Sequence, residues 1–109
     1  MIQLYMSLID DEQDKLRFEI AYYKYRNLLH YKARSILKDE HRAEDAVQEV
    51  FMRIAKNFHK VGDINSPQTR NFFVLITERV ALNIAEREER FKTASEEELY
   101  QFHNFHLAE

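Results

Sequence analysis

In the stretch Ala43 to Asn57, AEDAVQEVFMRIAKN, apolar residues fall at Val47, Val50, Phe51, Ile54 and Ala55, with Phe58 just beyond. That is the i, i+3, i+4, i+7, i+8 stripe of one helix face. Asp45, Gln48, Glu49, Met52 and Lys56 fall on a different face of the same helix, which is predicted to start near His41 or Arg42. Upstream, Leu16, Ile20 and Tyr23 form a stripe that Phe18, Ala21, Tyr22 and Tyr25 widen, and they predict a helix from about Asp11 to Tyr25. Asp10 or Asp11 suits its N-cap, and acidic residues crowd its first turn as the helix dipole favours. Leu28, Leu29, Ala33, Ile36 and Leu37 predict a second helix from about Asn27 to Leu37, with only Asn27 to mark the break. Lys38 to His41 reads as a short polar connection.

Downstream, NFHKVGDINSPQT, Asn57 to Thr69, holds the only Gly and the only Pro of the chain. It predicts a loop, long for a helix–helix connection, and that length favours a functional loop. Ser66 suits an N-cap with Pro67 at the first helical position. The helix that follows is predicted to reach about Arg90, roughly 35 Å at 1.5 Å per residue. Phe72 to Ile76 are apolar all round, which predicts burial on several sides. The tail SEEELYQFHNFHLAE reads either as a short helix capped by Ser95 to Glu98 or as a tether. Together these elements predict an all-α, compact bundle of four helices, three packed around the long fourth. Phe51, Ile54, Phe58, Phe72, Phe73, Ile76, Val80 and Ile84 are expected at its centre. Residues 1–10 are expected as an N-terminal extension, 11–92 as the domain and 93–109 as an acidic linker or tail.

Composition supports the helical reading. A chain of 109 residues with one Gly and one Pro lacks the turn residues of a many-stranded fold, and 45% hydrophobic residues suffice for a core. No apolar run is long enough for a membrane span, and the N-terminus has no secretory pattern. Cysteine is absent, which suits a reducing cytoplasm and removes thiolate chemistry. The net charge of -3 provides no global basic field. Met1 to Thr69 is neutral, Arg70 to Lys92 is net +1, and Thr93 to Glu109 is net -4. His103 and His106 are spaced i, i+3 but lack a carboxylate or cysteine partner, so no metal site is expected. No nucleophile–base pair or Gly-rich phosphate cradle stands out. Neither a cofactor nor an enzymatic activity is expected.

Two polar faces remain. That of the third helix mixes acid, amide and thioether. It is either solvated or a dock for an Arg-bearing partner. In the fourth helix Arg79, Asn83, Glu86, Arg87 and Arg90 share a face. It is either solvated or presents Arg and Asn to phosphates and base edges.

Taken in order, these elements resemble a known family. AEDAVQEVF, Ala43 to Phe51, resembles the signature helix of region two of sigma-70 type bacterial sigma factors, in their extracytoplasmic-function branch. YRNLLHYKARSIL resembles the helix before it, and RNFFVLITERVALNIAERE the long helix after the loop. The resemblance covers roughly Asp11 to Arg90. It implies a sigma region 2-like fold and a cytoplasmic transcription-initiation factor that binds RNA polymerase core and recognises or melts the promoter minus-ten element. Carried over residue by residue, it implies that Asp45, Gln48, Glu49 and Met52, with Arg53 at the edge, meet the clamp coiled coil of the polymerase. It implies that the loop His59 to Gln68 receives a flipped base of the non-template strand, with Lys60, Asn65, Ser66 and Gln68 supplying contacts. Arg70, Arg79, Asn83 and Arg87 would face the strand or the upstream duplex. An anti-sigma factor is the family's expected regulator.

Departures from the family pattern carry their own expectations. The family's long helix ends in a dense basic run, whereas EREERFK alternates signs, which predicts weaker phosphate affinity. The family's long helix usually carries an Asn close to where Arg79 stands and an acid close to Asn83, while Arg87 matches its common Arg. The chain has no room for the family's C-terminal helix-turn-helix domain, so a fragment cut in the linker is expected over a stand-alone protein. Two rivals stand beside this reading: a polymerase- or protein-binding helical module without DNA binding, and a structural or oligomerisation domain with both faces solvated.

Overall fold

The computed structural model describes the backbone of residues 1–108 and the side chains of residues 1–94. The order is α1 (Ile2–Met6), α2 (Glu12–Leu37), α3 (Glu40–Lys56), a 3-10 turn (Phe58–Lys60) and α4 (Pro67–Ala108). No strand occurs among the described residues, so the fold is all-α with four helices. They are not the four that the pattern predicts. The first two predicted helices are one, and the fourth slot is taken by α1. Asn27 lies exposed within α2, where a solvated amide lowers helix propensity without breaking the backbone ladder.

The ends of the helices follow local chemistry. Asp11 accepts from the Gln13 N–H (3.2 Å) and caps α2. Lys38 takes the left-handed conformation (φ 57°) and returns its N–H to the Arg34 carbonyl, so two residues suffice to reach α3. Asp39 accepts from the Arg42 N–H (3.1 Å) and caps α3. That bond holds its carboxyl below the ordinary value, against slight desolvation and with help from the Arg42 charge. Ser66 accepts from the Thr69 N–H (3.2 Å) with Pro67 opening α4, as the sequence predicts.

The core is aromatic. Phe18, Ala21, Tyr25, Leu29 and Ala33 are the buried stripe of α2, and the small Ala21 and Ala33 let neighbouring helices approach closely. Leu16, Ile20 and Tyr23, expected to lead that stripe, lie on the opposite face and are exposed. The cause is side-chain size. Phe18 meets Phe58 edge-on at 5.4 Å and Phe51 at 6.2 Å, a contact that neither Leu16 nor Ile20 can match. The first ten residues pack on the domain, with Tyr5 and Ile9 buried in this same core. The Tyr5 ring packs on Phe18, Tyr22 and Phe51, and burial, then Tyr22, raises its phenol pKa.

Of the expected core, Phe51, Ile54, Phe58, Phe73 and Val80 are buried, while Ile76 and Ile84 are partly covered. Phe72 is 51% exposed. Adjacent residues of a helix point about 100° apart, and of this pair only one faces inward. Phe73 does, edge-on to Tyr25 at 5.2 Å. Leu75 is also exposed, so the apolar run Phe72 to Ile76 is covered on one side only. Helix α4 has 42 residues, about 63 Å at the standard rise, against 26 in α2, so its last turns run past the bundle. It does not end near Arg90, and Ser95 caps no separate helix. The side chains of the Ser95 to Glu98 box and of His103 and His106 lie outside the described residues.

Candidate functional site

Helix α3 presents the first candidate surface. Its inner face buries Ala43, Ala46, Val50, Phe51, Ile54 and Ala55. The helical period then turns Asp45, Gln48, Glu49, Met52, Arg53 and Lys56 outward on one stripe. Asp45 and Gln48 are exposed, and Met52 is partly covered against the core. Glu49 and Arg53 pair across one turn (2.7 Å), and the charges of Asp45 and Lys56 offset each other, so the stripe has no net charge. The stripe mixes one free carboxylate, an amide and a soft apolar tip.

The second candidate surface centres on the segment 61–66, which forms no helix and is held largely by side chains. Arg17 of α2 donates to the Val61 carbonyl (2.9 Å) and the Gly62 carbonyl (2.5 Å), while Asp14 fixes its other nitrogen (2.8 Å). Its guanidinium also lies over the Phe58 ring at 5.0 Å. The Tyr25 hydroxyl donates to the Ile64 carbonyl (2.5 Å). Burial raises that phenol's pKa, opposed by Arg70 and assisted by Asp63. Lys24 donates to the Asn65 side chain (2.5 Å), and Thr69 Oγ1 to the Asp63 carbonyl (2.7 Å).

This fixed loop separates two hollows. One, of about 340 Å³, lies between α3 and α4 and is lined by Arg53, Asn57, Lys60, Phe72, Ile76 and Arg79. Three cations surround a half-exposed aromatic ring there, the chemistry that holds a nucleobase and its phosphate. The other, of about 320 Å³, lies between the loop and α2 and is lined by Lys24, Tyr25, Leu28, Asn65, Ser66 and Arg70. Farther along α4, a cleft of about 290 Å³ joins Asn83, Glu86, Arg87 and Arg90 to Glu49 and Arg53 of α3.

The predicted residues therefore divide. Lys60 and Arg79 share the first hollow, Asn65, Ser66 and Arg70 the second, and Asn83 and Arg87 the cleft. Arg70 and Arg79 are nine residues apart, half a rotation of the helix, and do not share a face. Gln68 is exposed on the first turn of α4 and lines none of the three. Ser66 already serves as cap and bonds to Asp63 and Thr69, which limits what its hydroxyl can offer a ligand. The structure adds Phe72 and Lys24 to the candidates, with Arg17 and Tyr25 as the residues that position the loop. Phe72 carried no decisive signal, since periodicity alone does not say which of two adjacent aromatics faces the core. Arg17 and Tyr25 carried none, because their partners lie about 40 residues downstream.

One group of possible metal ligands occurs among the described residues. His30, Glu40 and Glu44 bring ligand atoms within 4.8 Å of one another at the α2–α3 junction. Glu40 is already bonded to His30 (3.2 Å) and Arg34 (3.2 Å), so the group works as an ion-paired joint. No helix of the described residues is long and apolar enough to cross a membrane.

The family model described as Sigma-70 region 2 matches residues 21–91, which contain the outer stripe of α3, the loop and all three hollows. Comparison with curated proteins and with solved structures returns no match.

Proposed function

Because the chain belongs to the sigma-70 region 2 family, a family of transcription-initiation factors, we propose that it works through two separate surfaces. The outer stripe of α3 docks on RNA polymerase core, with Asp45, Gln48, Glu49 and Met52 in contact and Arg53 at the edge. The loop and α4 hold the separated non-template strand of the promoter minus-ten element. One observation carries the second assignment. The loop is fixed from beneath by Arg17 and Tyr25, so cation-lined hollows stand ready on both of its sides. A flipped base needs a few kcal/mol of compensation for lost stacking. Phe72 offers a ring for it and Lys60 and Arg79 offer charge, with Lys24, Asn65 and Arg70 across the loop for the next nucleotide. Asn83 and Arg87 lie toward the upstream duplex.

Capture of polymerase core by the chain, and its loss in Asp45→Ala/Gln48→Ala, tests the dock. Fluorescence anisotropy with a single-stranded minus-ten oligonucleotide tests the hollows. Phe72→Ala should weaken binding by about 1–3 kcal/mol, the usual worth of one stacked base. Lys60→Ala/Arg79→Ala should flatten the salt dependence by roughly 0.7 in log–log slope per lost phosphate contact. The rival without DNA binding has one observation in its favour. Glu49 and Glu86 oppose Arg53, Arg87 and Arg90 in the cleft and leave little net charge there. It predicts polymerase capture with no strand binding at any salt concentration.

A further inference from the structure

The outer face of α2 leaves large apolar side chains open to solvent. Leu16 (62% exposed), Ile20 (58%) and Tyr23 (51%) lie on one stripe with Asn27, and Tyr31 (74%) extends it. Leu16, Ile20, Tyr23 and Asn27 repeat at intervals of four, three and four, the seam spacing of a two-helix coil, with one polar Asn of the kind that fixes register. The stripe spans about 22 Å from Leu16 to Tyr31.

Charge decides what covers it. Residues 10–19 hold five acidic and two basic side chains, net -3, whereas residues 24–38 hold five basic and no acidic ones, net +5. A partner helix must carry the opposite order. A second copy of α2, laid antiparallel, carries it, while a parallel copy sets like charges together.

We propose that the chain self-associates through α2 as an antiparallel, twofold-symmetric pair. In that register Ile20 packs beside Tyr23 of the second copy and Leu16 beside its Asn27, with Tyr31 closing each end. The flanking positions set Glu19 against Arg26 of the second copy, twice by symmetry. Arg26 is held at the stripe's edge by the faces of Tyr22 (5.9 Å) and Tyr23 (5.0 Å). The other flank sets Arg17 against Lys24, but Arg17 is turned to Asp14 and the loop carbonyls, and Lys24 to Asn65. The stripe is only about two heptads long, so the association is weak and reversible.

Sedimentation equilibrium of the full chain at low salt, from about 10 µM to about 1 mM, reads the result as mass. A rise toward the dimer mass is expected. Glu19→Arg and Arg26→Glu should each weaken the dimer about tenfold or more, and the double swap should restore it to near the wild-type constant. Ile20→Glu should abolish it. All of these positions are exposed, and a far-ultraviolet melt confirms that each variant folds. A monomer mass throughout the range overturns the proposal. So does a dimer that both charge reversals leave unchanged, which places the second copy elsewhere. Reversals that weaken the dimer without recovery in the double swap overturn the antiparallel register.

Discussion

The loop at residues 61–66 and the last described turns of α4 invert the usual relation between secondary structure and anchorage. The loop makes no helical ladder, yet Arg17, Lys24, Tyr25 and Thr69 all bond to it, and Ile64 is buried beneath it. Residues 86–94 of α4 belong to an unbroken helix, yet only Glu88 among them is partly covered, through its pair with Arg42. Order in the loop is therefore a tertiary property, dictated by α2. Order in the far turns of α4 is a local one, dependent on propensity. A loop fixed in this way presents its hollows without a folding step on binding, which spares the ordering entropy that a mobile loop would lose.

Removing the loop's anchors should break that contrast. Arg17→Ala severs two charge-assisted bonds to carbonyls and a ring contact, and is expected to lower stability by about 2–3 kcal/mol in urea unfolding. It should also speed amide exchange at Val61 to Asn65 and weaken strand binding while polymerase capture persists. Tyr25→Phe leaves the Ile64 carbonyl without its donor and should cost about 1–2 kcal/mol, with the same selective effect on the strand. Arg42→Ala, which frees Glu88, should change stability by about 0.5 kcal/mol or less, since both groups are substantially exposed. A loss as large as that of Arg17→Ala would show that α4's far turns are anchored after all.

The smallest effect is expected from Asp39→Asn, because Asn also caps a helix. Its value lies in pH. The folded-state pKa of Asp39 is below the ordinary 3.8, so its stabilising contribution is present above that value and fades as pH falls through the lowered one. Between about pH 5 and pH 2 the wild type should lose stability more steeply than the Asn variant, measured by thermal melts across that range.

How much of this was legible in the sequence depended on what each helix turned outward. The outer face of α3 is polar, so its inner and outer sides followed from periodicity alone, as did the Ser66 and Pro67 start of α4. Helix α2 has apolar residues on both faces, and periodicity cannot say which stripe wins. Phe18 outcompetes Leu16 and Ile20 through contacts with Phe51 and Phe58, residues distant in sequence. The same ambiguity hid Phe72 behind Phe73. The face shared by Arg79, Asn83 and Arg87 was correctly drawn as a helical stripe, but Arg70 fell half a turn away from it. The anchors of the loop have no local signature at all, because a side chain reaching a backbone carbonyl about 40 residues away leaves no pattern near either end.

The length of α4 has a hydrodynamic consequence. A globule of 109 residues has a radius of gyration of about 13 Å, whereas this chain reaches 19.0 Å with a long axis of 69 Å. A single copy will drag through solvent like a rod and leave a gel-filtration column early, at the volume of a much heavier globular protein. Elution volume would thus make a lone chain look like a pair, whereas sedimentation equilibrium and light scattering, which weigh particles whatever their shape, will tell the two apart.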